Sequence, residues 1–385
     1  TMAEIYLDNN ATTKPLETVV ERMTEVLLQH YGNPSSIHFR GHLASSLVED
    51  SREQIANTIN ADSSCLIFTS GGTESNNLAL KSLLNAGTLL ITSRIEHSSV
   101  YQLSKQFHED GGRVHFLDVL PSGIVDLADL EQTLSHSNAK SVVAVQWANS
   151  ETGVIQPVSA ISELCQKHEA HYHCDAVQAF GRVPIDTNQI AIDSITITAH
   201  KIHGPKGIGA LYLRTVETLD PQIIGGDQES GLRSGTENVA GIAGFAEAAI
   251  ARHSRFEKVN QHLKTLTRTF AERVQAKFPS VIINGLEDRI SNTINLQFPG
   301  IDGQALVVLL DQQGLMCSQS SACTNKRPEP SRVLRSMGLS EEEAYSSIRF
   351  SVSEFTTDAE ICEAADILLG TLKTQQKFMD MKGVA

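Results

Sequence analysis

Between residues 65 and 213 the chain repeats one pattern, a short apolar run followed by a segment whose apolar residues fall three and four apart. "CLIFTS" (65–70), "TLLITS" (88–93), "RVHFLDV" (113–119), "SVVAVQWAN" (141–149), "HYHCDA" (171–176), "SITITA" (194–199) and "GALYL" (209–213) read as strands. Stretches such as "ESNNLALKSLL" and "VSAISELCQKH" between them read as helices. This alternation predicts an α/β fold, a mostly parallel seven-stranded sheet with helices on both faces. A long helical region follows, from about Val239 to Phe278. Beyond it the order changes. "VIING", "NTINLQF", the helix "GQALVVLLDQQG", "MCSQS", "SIRFSVS" and a last helix predict a smaller α+β unit. The expected division gives residues 15–255 to a large unit and 1–14 with 256–385 to the small one, the boundary falling inside the long helix.

Charge narrows the function classes. With 31 basic and 45 acidic residues the formal charge is −14, which argues against direct binding to nucleic acid or to an anionic membrane. No stretch approaches the roughly 20 apolar residues of a membrane span. The six cysteines, at 65, 165, 174, 317, 323 and 362, form no CxxC pair, so a reduced, cytosolic protein is expected. "HEAHYHC" (168–174) imitates a metal site. It runs from a helix end into a strand, however, where alternate side chains point to opposite faces, and no metal is expected there.

In sheets of this kind ligands bind at the carboxyl ends of the strands. After the first strand comes "GGTESNN" (71–77), where Gly72 lets the backbone approach an anion, Thr73 adds a hydroxyl and the following helix start favours negative charge. It is neither a dinucleotide fingerprint nor a Walker loop. Later strand ends bring His97, Asp175 with Gln178 three residues on, and Lys201 in "HKIHGPKG". Singly, each has an ordinary reading as a loop histidine, a helix cap or a surface charge. Together they match the needs of pyridoxal 5′-phosphate: a lysine for the aldehyde, an acid for the ring nitrogen, an aromatic ring over the pyridine and a cup for the phosphate. Lys206, in the "GPKG" turn, is the rival lysine; a strand end fixes Lys201 better. One further residue stands out. Cys323 lies in "SSACTNKRPEPS" (320–331), a polar stretch ending in prolines, where a small hydrophobe has no packing reason to be.

The motifs "YLDNNATT" (6–13), "YGNPSSIH" (31–38), "FTSGGTESNN" (68–77), "IEHSSV" (95–100), "DAVQAFG" (175–181), "AHKIHGPKGIGALY" (199–212), "GLRSGTEN" (231–238), "SSACT" (320–324) and "SIRFS" (347–351) run through almost the whole chain. In this ordered set the chain resembles the cysteine desulfurases of the type that serves nitrogenase and general iron–sulfur assembly. The resemblance implies the aminotransferase-like fold of large PLP-dependent enzymes (fold type I), a homodimer, L-cysteine as substrate and a sulfur-acceptor protein as partner. It implies Lys201 as the residue that holds the cofactor and carries protons, and His97 as a catalytic residue, the ring stacked on the cofactor that helps with proton transfer. Asp175 would pair with the ring nitrogen and Gln178 with the phenolic oxygen. Gly72, Thr73, Thr198 and His200 would cup the phosphate, and Thr236 would reach the neighbouring subunit's phosphate. Arg349 would hold the substrate carboxylate, a bidentate role suited to a guanidinium. Cys323 would attack the substrate sulfur and keep it as a persulfide while alanine leaves.

Three departures qualify this. "ANSETG" (148–153) has Ser150 where the family commonly has a second asparagine, so Asn149 or a water is expected to substitute toward the cofactor and the substrate. Thr198 replaces a usual serine and keeps the hydroxyl. The end, "KFMDMKGVA", does not resemble the tail with which housekeeping members dock their scaffold, leaving iron–sulfur assembly, tRNA thiolation and DNA phosphorothioation all open as destinations. Selenocysteine lyase chemistry, another PLP reaction on the same scaffold, and a catalytically silent paralogue are the alternatives.

Overall fold

The computed structural model describes residues 4–215, 219–285, 288–319 and 329–381, with side chains through residue 375. After β1 (Ile5–Tyr6), α1 (Glu17–Gln29) and α2 (Phe39–Asn57), all seven expected strands form: β2 (Leu66–Thr69), β3 (Thr88–Ser93), β4 (Arg113–Leu117), β5 (Lys140–Ala144), β6 (His171–Asp175), β7 (Ser194–Thr198) and β8 (Gly209–Leu213). Helices α3 (Gly72–Leu83), α4 (Ser98–Glu109), α5 (Leu127–His136) and α6 (Val158–Lys167) link β2 through β6. The strands make one sheet in the order β2-β8-β7-β6-β5-β3-β4. β4, β3, β5, β6 and β7 run parallel, and β8 runs against both of its neighbours. With helices on both faces, the central strands have no solvent side to reserve for polar residues. Every residue of β7 is buried, as are Ser141–Ala144 of β5.

Two expectations shift in detail. The run at 141–149 leaves regular pairing after Ala144, because the Gln146 N–H donates to the Glu96 carboxylate (2.9 Å) and its amide donates to the Ile95 carbonyl (2.7 Å), drawing the chain toward the end of β3. The single long helix is two, α7 (Val239–Ser254) and α8 (Phe256–Lys277). α7 is buried along most of its length against α1 and α2, whereas α8 presents one apolar face to the C-terminal helix. These different surfaces demand a change of direction. It comes at Arg255, whose side chain donates to the Ala251 carbonyl and pairs with Glu354.

The rest of the chain adds β9 (Ile282–Ile283), β10 (Thr293–Gln297), α9 (Gly303–Asp311), β11 (Leu315–Met316), α10 (Arg332–Ser336), α11 (Glu341–Tyr345), β12 (Ser347–Ser351) and α12 (Asp358–Met381). β12, β10 and β9 form an antiparallel sheet, while β1 pairs in parallel with β11. Asp302 caps α9 through the N–H groups of Gln304 and Ala305, and Ser340 with Glu343 forms a capping box on α11. One hydrophobic core surrounds the seven-stranded sheet. A second gathers Ile5 and Leu7 with α8, β10, β12 and α12. Val333, Leu334, Met337 and Ala344, late in sequence, pack with the first core. Among the described residues no helix is long and apolar enough to cross a membrane.

Candidate active site

β7 ends in a tight turn, Ala199–Lys201, that aims Lys201 at the N-terminal segment. Its ammonium donates to the carbonyls of Asn10 and Ala11, the latter at 2.6 Å. Burial lowers the amine to about 7, helped by the nearby Arg182 and Arg349 cations and opposed by Asp8 and Asp175. Arg182 is itself buried, with no acid paired to it among the described residues. It donates to the Gln178 and Lys201 carbonyls and to the Gln178 side-chain oxygen, all at 2.9 Å. Lys206, the rival, is exposed in its glycine turn.

Asp175 ends β6, 6 % exposed, with its oxygens held by the Val177 N–H (3.0 Å) and the Asn76 amide (2.8 Å). Three residues on, Gln178 donates to the Asn10 carbonyl at 3.1 Å. His97 caps α4. Its Nδ1 accepts from the Ser99 backbone N–H (3.2 Å) and lies 2.8 Å from the Ser99 hydroxyl. A ring nitrogen that accepts an N–H carries no proton of its own, so the neutral ring is protonated at Nε2. Loss of water, with Lys201 and Arg332 close by, keeps its pKa below the ordinary value despite the pull of Asp175. Beside it Glu96 is fully buried between the Ser93 hydroxyl (2.7 Å) and the Gln146 N–H, and burial pushes it up to about 8.

The anion end is built from α3. Gly71, at φ 151°, makes a turn that L side chains rarely adopt, and a Cβ at Gly72 would stand 2.9 Å from Val177. The first N–H groups of α3 have no partner within the helix. Glu74 braces the turn from outside, accepting the Ser70 N–H (2.7 Å) and pairing with Arg233 (2.8 Å). Thr73 and His97 share the wall of a cavity of about 620 Å³. His200, lowered to about 4 chiefly by burial and next by Lys201, meets the Thr12 hydroxyl at 3.2 Å. Thr198 is 1 % exposed, and its hydroxyl donates to the Ile208 carbonyl (3.1 Å). Thr236 is exposed and lines a separate cavity of about 230 Å³ with Ser70 and Gly207.

On the small-unit side β12 carries Arg349, 7 % exposed. Asp8 holds one edge of the guanidinium at 2.6 Å, and the Ser150 carbonyl takes another N–H at 3.0 Å. Nε is buried without a hydrogen-bond partner. Asn149 is 1 % exposed, its amide donating to the Ile95 carbonyl and accepting from the Glu151 and Thr152 N–H groups. Ser150 contributes its carbonyl, which Asn10 also binds (3.0 Å). Cys323 lies outside the described residues. On either side of that segment, Ser318 pairs with Arg349, and Arg332 donates to the carbonyls of Arg94 and Glu96 and stacks on Tyr101.

The strand-end residues Lys201, Asp175, Gln178 and His97 thus converge, with Arg349 facing them. Sequence reasoning left Asp8, Asn10, Asn76, Arg182 and Arg332 without roles. Asp8 and Asn10 lie inside "YLDNNATT", but Asn10 meets Lys201 through a carbonyl, which no side-chain pattern announces. The fold is that of the large PLP-dependent enzymes of fold type I. Residues 5–363 match the class-V aminotransferase family. A cysteine desulfurase from Nostoc sp. is 41% identical over 371 residues, 95% of this chain and 92% of that one. Two solved structures agree. A NifS-like protein superposes with a TM-score of 0.90 at 32% identity, over 96% of this chain and all of that one. SspA in complex with cysteine gives 0.80 at 31% identity, over 93% of this chain and all of that one. The chain belongs to the class-V aminotransferase family, in its cysteine desulfurase branch.

Proposed function

We propose that this desulfurase holds pyridoxal 5′-phosphate on Lys201 and passes the sulfur of L-cysteine to Cys323, leaving alanine. The observation that carries this reading is the half-buried amine of Lys201, fastened to the carbonyls of Asn10 and Ala11. Lowered to about 7, it is half neutral near physiological pH and able to bond an aldehyde, while Lys206 stands exposed in its glycine turn. When bound, the cofactor supplies an electron sink for carbon–sulfur cleavage. Asp175 would hold the ring nitrogen, Gln178 the phenolic oxygen and His97 the ring face. Gly72, Thr73, Thr198 and His200 would surround the phosphate, with Thr198 also tied to Ile208.

Arg349 would take the substrate carboxylate, its guanidinium being held in place by Asp8 and the Ser150 carbonyl. Lys201 would first take the α-carbon proton of the substrate. The Cys323 thiolate then attacks the substrate sulfur. The carbon–sulfur bond would break with its electron pair left on the β-carbon, and Lys201 would deliver its proton there. The α-carbon would regain a proton equal to the one lost by the Cys323 thiol, and a persulfide would stay on Cys323. Cys323 follows Gln319 by four positions in the sequence, a tether of at most about 14 Å. Gln319 is fastened to the Tyr345 carbonyl (2.6 Å), and Ser318 pairs with Arg349, so the tether starts beside the substrate-carboxylate residue. The bound cysteine of the SspA structure supports the same substrate class.

The reading includes a homodimer in which Thr236 reaches the other subunit's phosphate. Leu28, Tyr31, Ile37 and Phe39 support it, since they expose 69–92 % of their surface within a dozen residues, more apolar area than a lone soluble chain normally shows. Residues 15–255 would form the cofactor unit, and 1–14 with 256–385 the unit bearing Arg349 and Cys323. A sulfur-acceptor protein in iron–sulfur assembly, tRNA thiolation or DNA phosphorothioation would receive the sulfur. The test is Lys201→Ala against Lys206→Ala. The first is expected to lose the visible absorbance of covalently held cofactor and all alanine release, and the second to keep both; the reverse outcome overturns the assignment.

A further inference from the structure

Behind the proposed site Asp175 and His97 are joined by a chain of polar side chains, none of whose other members the reaction as described uses. His171 Nε2 lies 3.1 Å from the Ser194 hydroxyl, which lies 2.9 Å from His173 Nδ1. His173 Nε2 lies 3.0 Å from the Asn76 oxygen, and the Asn76 amide nitrogen reaches both Asp175 and the Ser99 hydroxyl at 2.8 Å. Ser99 then meets His97 Nδ1. Asn76, His173, Ser194 and Asp175 are 0–6 % exposed, and Ser99 is 9 % exposed. They come from β6, β7, α3 and the first turn of α4.

Proton bookkeeping fixes every direction in this chain. A carboxylate oxygen can only accept, so Asn76 must face Asp175 with its nitrogen and His173 with its oxygen. That oxygen requires a proton on His173 Nε2. Burial, followed by the neighbouring His171, lowers His173 to about 3, so the ring is neutral and its Nδ1 must accept from Ser194. Ser194 in turn accepts from His171. On the other branch, the second Asn76 N–H occupies the Ser99 oxygen and turns the Ser99 hydrogen onto His97 Nδ1. All dipoles of the first branch therefore point at Asp175, and the second branch leaves His97 with its Nε2–H toward the cleft, a donor rather than a base.

We propose that Asn76 is a positioning residue. One amide ties the carboxylate under the cofactor's ring nitrogen to the imidazole over the ring's face, and His173 and Ser194 fix its orientation. This rests on the reading of Asp175 and His97 given above. Asn76 touches neither substrate nor cofactor, so its loss shows in cofactor retention and turnover rather than in substrate binding.

The experiment reconstitutes apoprotein with pyridoxal 5′-phosphate. It measures the cofactor dissociation constant and the kcat and KM for L-cysteine in Asn76→Leu, His173→Leu, His173→Gln and Asp175→Ala. Asn76→Leu is expected to weaken cofactor binding about tenfold and to lower kcat by a similar factor with KM within about twofold. His173→Gln, which keeps an N–H near the Nε2 position, should bind cofactor at least about fivefold more tightly than His173→Leu. If Asp175→Ala weakens binding strongly while Asn76→Leu stays within about twofold of wild type, the role of Asn76 is refuted and the site reading stands. If Asp175→Ala is itself neutral, the site reading falls first. Should Asn76→Leu fail to fold, the His173 pair decides: equal values for the two overturn the proposal.

Discussion

Lys201 owes its lowered pKa first to lost water and next to two cations, Arg182 and Arg349, that no acid fully offsets. The sign of the pH effect follows. Between about 7 and the ordinary lysine value the folded apoprotein binds fewer protons than the unfolded chain, so its stability rises with pH across that window. Below about 7 the full cost of the buried charge is present. The rate of cofactor attachment, followed by visible absorbance, is expected to climb through pH about 7 and then flatten. Arg182→Met should move that midpoint upward; a rate that keeps rising toward pH 10 would mean the amine is not perturbed. Lys201, Asp175 and His97 were legible because reactive side chains at successive strand ends form a chemical set. Arg182 was not. Its signals are burial, backbone partners and the Gln178 side-chain oxygen, which exist in space and not in sequence.

At the scale of elements, the segment before Thr236 carries a backbone conformation that needs holding. Glu229 and Ser230 both have left-handed φ, 51° and 57°, followed by Gly231 at 77°. For residues other than glycine each such position costs on the order of 1–3 kcal/mol. The Glu229 carboxylate holds the turn by pairing twice with Arg52, at 2.7 and 2.8 Å, and accepting the Phe68 N–H of β2 at 2.8 Å. Both side chains are buried, at 10 % and 4 % exposure. Glu229→Ala leaves Arg52 charged and its strongest partner gone, with an expected loss of about 3–5 kcal/mol, read as a lower urea midpoint at unchanged slope. A loss under about 1 kcal/mol would show the turn to be held otherwise. The seven strands and most helices were readable because burial on one or both faces writes a period into the sequence. The departure at Gln146 and the break at Arg255 were not, since each depends on a partner about 50 to 100 residues away, Glu96 in one case and Glu354 in the other.

For the whole molecule, the exposed apolar run at 27–39 and the exposed Thr236 loop would both be covered in the homodimer proposed above. Ile37, 92 % exposed, touches little of its own chain, so Ile37→Asp is expected to leave monomer stability unchanged while shifting the sedimentation coefficient toward a monomer. An unaltered dimer would place the interface elsewhere. The molecule also brings two distant stretches, the loop after β1 and the strand β12, against the large sheet: Asp8 and Asn10 meet Arg349, Ser150 and Lys201 across more than a hundred residues of sequence. That closure makes one cleft of residues read separately, and it leaves Cys323 as the member whose part must be measured. The most direct measurement is mass spectrometry of the protein after a single exposure to L-cysteine. One added sulfur on the peptide containing Cys323, with an equivalent of alanine released, is the expected result. Alanine release with that peptide unmodified, or undiminished release from Cys323→Ser, would contradict the account.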